Sequence, residues 1–451
     1  MAESENTNEK SRTLVLNAFG GHDKIKVVEK ARQKPGAGQV LVTIEACGIN
    51  FAELMMRQGL YSAGKQALKP PCELGWEGAG VVAELGEGVT TFQVGDKVLC
   101  MTFTRNMWTE YAAVNVENVH AMPEGMSFEE AAAIQVNYVT AYHMLFEFGN
   151  LRKGHKVLIH MAAGGVGVAA TQLCRTVPDV VIFGTASAQK HDAIKENGVD
   201  HPIDYRTQDY VEQVKKISPE GVDIVLDPLS GPDAAKGYSL LKPFGKIIHF
   251  GSANTISGST KSLWKMARTY FSVKNYNPLN IITDNKAVCG YHMGCLGGEL
   301  IREAVIAVLD LYREGKVKPK VDSVWAFEDI SKAMGRLENR ENIGKVIISP
   351  KKAPEPPVEK PKPVEKSKKK TKDQKKEAEE ADKDATEKND DAKPEKETDG
   401  EKAAEGEKKE EEGEKKEGEG EKKEGEEPKK EAEEEKKEVE EPKEGAGEKS
   451  N

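Results

Sequence analysis

Apolar and polar positions alternate with period two over short runs between residue 12 and about residue 137, at 13–16, 24–28, 40–49, 80–85, 97–101 and 111–114, with Gly and Pro closely spaced between them. Period two sends successive side chains to opposite faces of a strand, so this stretch predicts a small, partly open β-barrel. From about residue 138 the pattern changes. Apolar, β-branched runs at 157–160, 180–183, 201–204, 223–226, 246–250 and 287–290 now alternate with helical stretches. Strands apolar on both faces are buried on both faces, and their alternation with helices predicts a doubly wound parallel sheet. Helical spacing recurs at 300–312 and 330–337, and a last apolar strand follows at 345–349. These closing elements are expected to return to the barrel. The expected fold class is α/β, with an unstructured start at 1–11, a barrel domain at 12–137, a dinucleotide-type domain at 138–290 and the return at 291–350.

Beyond Pro350 the pattern stops. Residues 351–451 contain no Leu, Ile, Met, Cys or aromatic residue and only three valines. So little apolar surface cannot offset the entropy of ordering, which predicts a disordered tail. The tail carries 28 Lys against 37 Asp and Glu, so nearly all of the chain's net charge of −10 resides there. The preceding 350 residues are close to neutral, which gives no electrostatic footprint for nucleic acid. Glu-Gly-Glu-Lys-Lys-Glu recurs from residues 405, 412 and 419. This seven-residue period has no apolar seam and so makes no coiled coil.

Six scattered cysteines without a C-x-x-C pair suggest free thiols in a reducing compartment. The N-terminus lacks the basic start and apolar core of a signal peptide, and no run reaches the ~20 apolar residues of a membrane span. A cytoplasmic location follows as the expectation.

Chemistry concentrates where the 157–160 strand runs into Met161-Ala162-Ala163-Gly164-Gly165-Val166-Gly167 and then an Ala-rich helix. A small-residue turn opening a helix leaves backbone N–H groups free for a pyrophosphate, so Ala163, Gly164, Gly165, Val166 and Gly167 are candidate cofactor contacts. The next strand is expected to end at Gly184, where an NAD-binding sheet usually carries an acid for the ribose hydroxyls. Ser187 and Lys190 follow, a hydroxyl and a cation suited to a 2′-phosphate. NADPH is therefore the expected cofactor. His160 and His249, both in strand contexts, are read as core histidines.

The runs Pro71-Cys72-Glu73-Leu74-Gly75-Trp76-Glu77-Gly78-Ala79-Gly80-Val81-Val82, Gly86-Glu87-Gly88-Val89 and Gly95-Asp96-Lys97-Val98 resemble the signature of the medium-chain dehydrogenases/reductases. The 162–167 turn resembles their quinone oxidoreductase branch. Closer still, residues 47–61 and Phe183-Gly184-Thr185-Ala186-Ser187 are similar to the vesicle-amine-transport type of synaptic vesicle membrane protein homologues. The resemblance covers residues 12–350 and implies a GroES-like catalytic domain beside a Rossmann NADPH-binding domain. It also implies a homodimer and peripheral association with vesicle or mitochondrial outer membranes.

Zinc enzymes of this superfamily need a Cys, a His and a further Cys or carboxylate. Cys47 is present, but Trp76 stands at the His position, and only Cys100 lies between Gly95 and Tyr111. No metal is expected. The resemblance then implies hydride transfer to a quinone-like or α,β-unsaturated carbonyl substrate. Asn50 would orient the substrate and Tyr61 would donate a hydrogen bond, while Met55 replaces a tyrosine common in related reductases. It places Thr140 near the carboxamide, Tyr205 by the adenosine phosphate, Phe250, Gly251 and Ser252 beneath the nicotinamide, and Asn342 and Lys345 over the cofactor.

Residues 261–271 combine Lys261, Lys265 and Arg268 on one helical face with Leu263, Trp264, Met266, Tyr270 and Phe271. Such a segment suits a pocket lid, a dimer contact or an anionic membrane surface. The alternative to an enzyme is a nucleotide-regulated membrane- or protein-binding module with little catalysis.

Overall fold

The computed structural model describes residues 9–61, 68–255 and 275–356. The 261–271 segment, the first eight residues and the tail beyond 356 lie outside the described residues.

The barrel half is built from β1 (Lys10–Leu16), β2 (Ile25–Ala31), β3 (Gln39–Ile49), β4 (Cys72–Glu73), β5 (Glu77–Leu85), β6 (Lys97–Met101), β7 (Tyr111–Asn115) and β8 (Val119–Ala121). β1 starts at Lys10, two residues before the expected boundary, because its ladder to β2 already pairs Lys10 with Ala31. A small sheet runs β2-β1-β4, and β3 is the spine of the larger sheet, flanked by β5 and β7. Alternation explains the spine. Val40, Val42 and Ile44 drop into one core with Val82, Val98 and Trp108.

The second half carries β9 (Lys156–Ile159), β10 (Val181–Ala186), β11 (His201–Asp204), β12 (Val222–Asp227), β13 (Leu241–His249) and β14 (Ala287–Gly290) in one parallel sheet of order β11-β10-β9-β12-β13-β14. The order reverses between β9 and β12. That reversal opens a crevice at the carboxyl ends of the strands, where doubly wound sheets bind ligands. Helix α1 (Phe51–Arg57) follows β3 directly, α2 (Phe128–Ala131) and α3 (Gln135–Tyr142) lead into the sheet, and α4 (Gly165–Arg175) follows β9.

After the sheet, α5 (Gly298–Arg313) buries Ile301, Ala304, Val305, Val308 and Leu309 in the core shared with Tyr138 and Leu173, the helical stripe expected there. The chain rejoins the barrel only at β15 (Val321–Ala326), followed by α6 (Ile330–Glu338) and β16 (Lys345–Ser349). β16 pairs parallel with β15 and antiparallel with β3, so the return sits in the barrel sheet itself. Among the described residues no helix is long and apolar enough to cross a membrane.

Candidate active site

Two adjoining cavities occupy the cleft between the halves, one of about 820 Å³ and one of about 300 Å³. Every residue expected from the sequence to meet substrate or cofactor lines one of them. The larger takes Asn50 and Tyr61 from the barrel, Thr140 from α3, Gly164, Gly165, Val166 and Gly167, Phe250, Gly251 and Ser252 past β13, and Asn342 and Lys345 from the return. The smaller takes Ala163, Ser187, Lys190 and Tyr205.

The turn before α4 is shaped for close approach. A Cβ on Gly167 would lie 2.4 Å from the Met161 carbonyl oxygen, and one on Gly165 would lie 2.1 Å from the Asn137 amide nitrogen. Glycine therefore brings the first turn of α4 against both the preceding loop and α3. First-turn amides lack intrahelical acceptors, so they present donors and a positive dipole end to the cleft. The return clamps this turn: Gly344 N donates to Ala163 O at 2.8 Å.

Gly184 has a different role from the one expected. It lies inside β10, paired with Ile159 and Pro202, and the strand continues to Ala186. A Cβ there would meet Val199 at 2.8 Å and Ala162 at 2.9 Å, so packing accounts for this glycine. The strand end facing the smaller cavity is Ala186-Ser187, which also carries no acid.

Lys190 is largely committed. Its ammonium donates to Arg340 O and Asn342 O, each at 2.7 Å, which ties the sheet to the return, and burial lowers its pKa. Arg340 lines the same cavity. It brings a second cation that sequence reading passed over, because it sits in the polar run Asn339-Arg340-Glu341-Asn342 that looks like an ordinary turn.

On the barrel side, Asn50 precedes α1 and both ends of its carboxamide are engaged. Nδ2 donates to Glu77 Oε1 at 3.0 Å, and Oδ1 accepts from Lys345 Nζ at 2.6 Å. Lys345 also donates to Glu77, and all three side chains are buried. Asn50, expected from the resemblance to orient the substrate, thus has both polar atoms of its side chain engaged by Glu77 and Lys345. Glu53 lies beside it, accepting from the Asn50 backbone N–H at 2.9 Å. Burial pushes the Glu53 carboxyl up to about 8, against the pull of Lys345, so it is protonated at neutral pH.

Tyr61 presents a phenol at the cavity. Its hydroxyl and His292 Nε2 are 3.1 Å apart, its ring meets Trp76 edge-on at 6.1 Å, and burial pushes its pKa up to about 12. His292 was not anticipated, because it comes from the sheet side of the cleft. Met55, Phe51, Leu60 and Phe103 make the rest of this chamber apolar.

His249 is no core histidine. It lines the larger cavity, and its Nδ1 lies 2.8 Å from Asp227 Oδ2. His160 is buried as expected, yet it lines both cavities.

A barrel inserted before and after a doubly wound sheet, with the cleft between them, is the architecture of the medium-chain dehydrogenases/reductases, an oxidoreductase superfamily. Residues 36–142 match the alcohol dehydrogenase GroES-like domain, and residues 197–348 match a domain described as zinc-binding dehydrogenase. The synaptic vesicle membrane protein VAT-1 homolog of Rattus norvegicus is 53% identical over 344 residues, 75% of this chain and 84% of that protein. The crystal structure of the human VAT-1 homolog-like protein aligns with a TM-score of 0.66 at 41% identity, covering 76% of this chain and 99% of that one. Escherichia coli quinone oxidoreductase complexed with NADPH aligns with a TM-score of 0.66 at 25% identity, covering 75% and 100%. The chain belongs to the VAT-1 homologue family, in the quinone oxidoreductase branch of the superfamily.

The residues present do not fit the zinc implied by the name of the second domain. Trp76 fills the His position, Cys47 Sγ donates to Met107 O at 3.0 Å, and burial holds the Cys47 thiol well above its usual pKa. Among the described residues no three His, Cys, Asp or Glu side chains gather as a metal-binding group.

Proposed function

We propose that this chain is an NADPH-dependent reductase of quinone-like or α,β-unsaturated carbonyl substrates that works without a metal. The observation that carries the reading is the division of the cleft: a mainly apolar chamber onto which Tyr61 presents its phenol adjoins a polar chamber with Ser187, Lys190 and Arg340 and no acid at the end of β10. Bound NADPH would supply a hydride. The chain's residues do the rest. Gly165–Gly167 receive the diphosphate at the α4 N-terminus, and Ser187 with the cations faces the 2′-phosphate.

The apolar chamber excludes water and orients the substrate. The high pKa of Tyr61 keeps its O–H protonated, so it donates to the substrate oxygen on which negative charge develops. NADPH oxidation by the full chain is the test, against a panel of quinones and enones with NADH as control. NADPH-selective turnover is expected. Tight NADPH binding without turnover on any of them would overturn the reductase and favour the binding module.

Two further parts of the proposal concern partners. Peripheral membrane contact through 261–271 is supported by that segment's basic and apolar pattern and by the vesicle membrane names of the relatives. Charge reversal at Lys261, Lys265 and Arg268 is expected to abolish sedimentation with anionic liposomes, and unchanged sedimentation would sink it. A homodimer is supported by the edge position of β14 and by Leu279 and Ile282, each 69% exposed nearby in sequence. A monomeric mass by light scattering would overturn it.

A further inference from the structure

Three neighbouring strands end in titratable side chains. The ladders pair Ile159 with Leu226 and Asp227 with His249, so His160, Asp227 and His249 follow one another across the carboxyl ends of β9, β12 and β13. β9 and β12 flank the point where the strand order reverses, so this row forms the floor of the ligand crevice.

Asp227 is fully used. Oδ2 pairs with His249 Nδ1, and Oδ1 accepts from Leu229 N at 2.8 Å and Ser230 N at 3.2 Å. An Nδ1–H on His249 leaves its Nε2 as acceptor for the Tyr276 hydroxyl, 2.9 Å away.

His160 is different. Its Nδ1 lies 3.2 Å from Thr185 Oγ1, and that same oxygen accepts from Met161 N at 3.2 Å. Among the described residues Nδ1 is the one acceptor within reach of the buried Thr185 hydroxyl hydrogen, so the assignment that satisfies Thr185 has Oγ1–H donating to Nδ1 and the ring proton on Nε2. The ring is neutral, since burial disfavours the cation. Among the described residues Nε2–H has no hydrogen-bond partner, although the residue is only 2% exposed. Buried donors are nearly always satisfied, and an unsatisfied one at a ligand site is a group waiting for its acceptor. Among the described residues Met161, Gly164 and Asn342 share with His160 the position of lining both cavities, and Gly164 caps the eleven-residue helix α4. The unused donor thus lies where the two cavities meet at a helix N-terminus, the place for the middle of a dinucleotide.

We propose that His160 is a cofactor-binding residue whose Nε2–H donates to the diphosphate bridge of bound NADPH, joining the α4 amides from the opposite wall of the crevice. This rests on the cofactor reading above. It assigns a polar binding function to a side chain that the sequence presents as core.

The test is calorimetric titration of the full-length chain with NADPH, with 2′-phospho-ADP-ribose, which keeps the bridge, and with 2′-AMP, which lacks it. His160→Phe is expected to weaken the first two by about 10- to 30-fold, the scale of one hydrogen bond to a charged group, and to leave 2′-AMP within about twofold. His160→Gln, whose amide N–H reaches near the Nε2 position, should restore NADPH binding to within about threefold. His160→Asn, which reaches only the Nδ1 position, should behave like Phe. Melting temperatures without ligand report folding separately. Equal NADPH affinity in wild type and His160→Phe would overturn the assignment and leave Nε2–H directed at the Tyr210 ring, which stands edge-on at 4.8 Å. Parallel loss of all three ligands in all variants would also overturn it, marking a structural role. A wild-type chain that binds no NADPH would instead bring down the cofactor reading itself.

Discussion

Two buried polar clusters face each other across the cleft, and they are finished to different degrees. On the barrel side, Asn50, Glu77 and Lys345 satisfy one another. On the sheet side, Asp227 and His249 are likewise paired, but His160 keeps a donor in reserve. The first cluster uses its polarity to join the end of β3 to β5 and β16 within the barrel sheet, with Val136 N of α3 donating to Glu77 Oε2 at 2.7 Å. The second retains some for a ligand. A buried charge network is costly unless complete, whereas a single neutral donor can wait at modest cost.

The contrast is broken most directly at Lys345. Lys345→Met should cost about 3–5 kcal/mol in urea unfolding, because Glu77 loses its buried cation, while His160→Gln should cost under about 1 kcal/mol. Comparable losses at both sites would erase the distinction.

Tyr61 should behave as the member of the barrel wall that meets the substrate, its hydroxyl otherwise engaged with His292 across the cleft. Tyr61→Phe is expected to lower kcat about 100-fold with unfolding unchanged, a loss of proton or hydrogen-bond donation to the substrate alone. An unchanged kcat would move that role elsewhere in the chamber.

Glu53, which lies beside the barrel cluster with Oε1 buried and unpartnered among the described residues, gives that wall a pH signature. Its folded pKa of about 8 lies above the ordinary carboxylate value, so the stability of the protonated form is fully present below about pH 4.5 and is lost as pH rises through 8. Glu53→Gln should therefore melt higher than wild type by a few degrees at pH 9, with the gap closing towards pH 5. A gap independent of pH would place the ionisation elsewhere.

The smallest effect is expected at Lys190, two of whose N–H groups already serve carbonyls. Lys190→Met should weaken NADPH about fivefold and NADH hardly at all, since one remaining N–H and Arg340 share the 2′-phosphate. A loss shared by both cofactors would assign Lys190 to the strap it forms with the return.

Local pattern made much of this legible. The alternation of β3, the apolar run of β9 and the small residues after it foretold strand, strand and the glycine turn that opens α4, because each depends on neighbours in sequence. What escaped was non-local. β15 follows Pro319 and opens Val321-Asp322-Ser323, a weak strand pattern that becomes one because β16 pairs with it. Gly184 was misread because the end of β10 is set by its ladder to β11, which runs to Ala186–Asp204. Asn50 and Lys345 are 295 residues apart, and nothing in either segment announces the other. His160 was rightly read as buried, but burial alone does not say whether its donor is used.

The hydrogen bond from Gly344 to Ala163 bears on how the protein is born. A nascent chain that has completed all six strands of the parallel sheet still has an unclamped nucleotide turn, and Asn50 and Glu77 still lack Lys345. Both walls of the cleft are finished by the same short stretch, the last to leave the ribosome among the described strands. Under the proposed function, cofactor capture is therefore a late event in synthesis, and the arrival of β16 marks the moment at which both walls are complete.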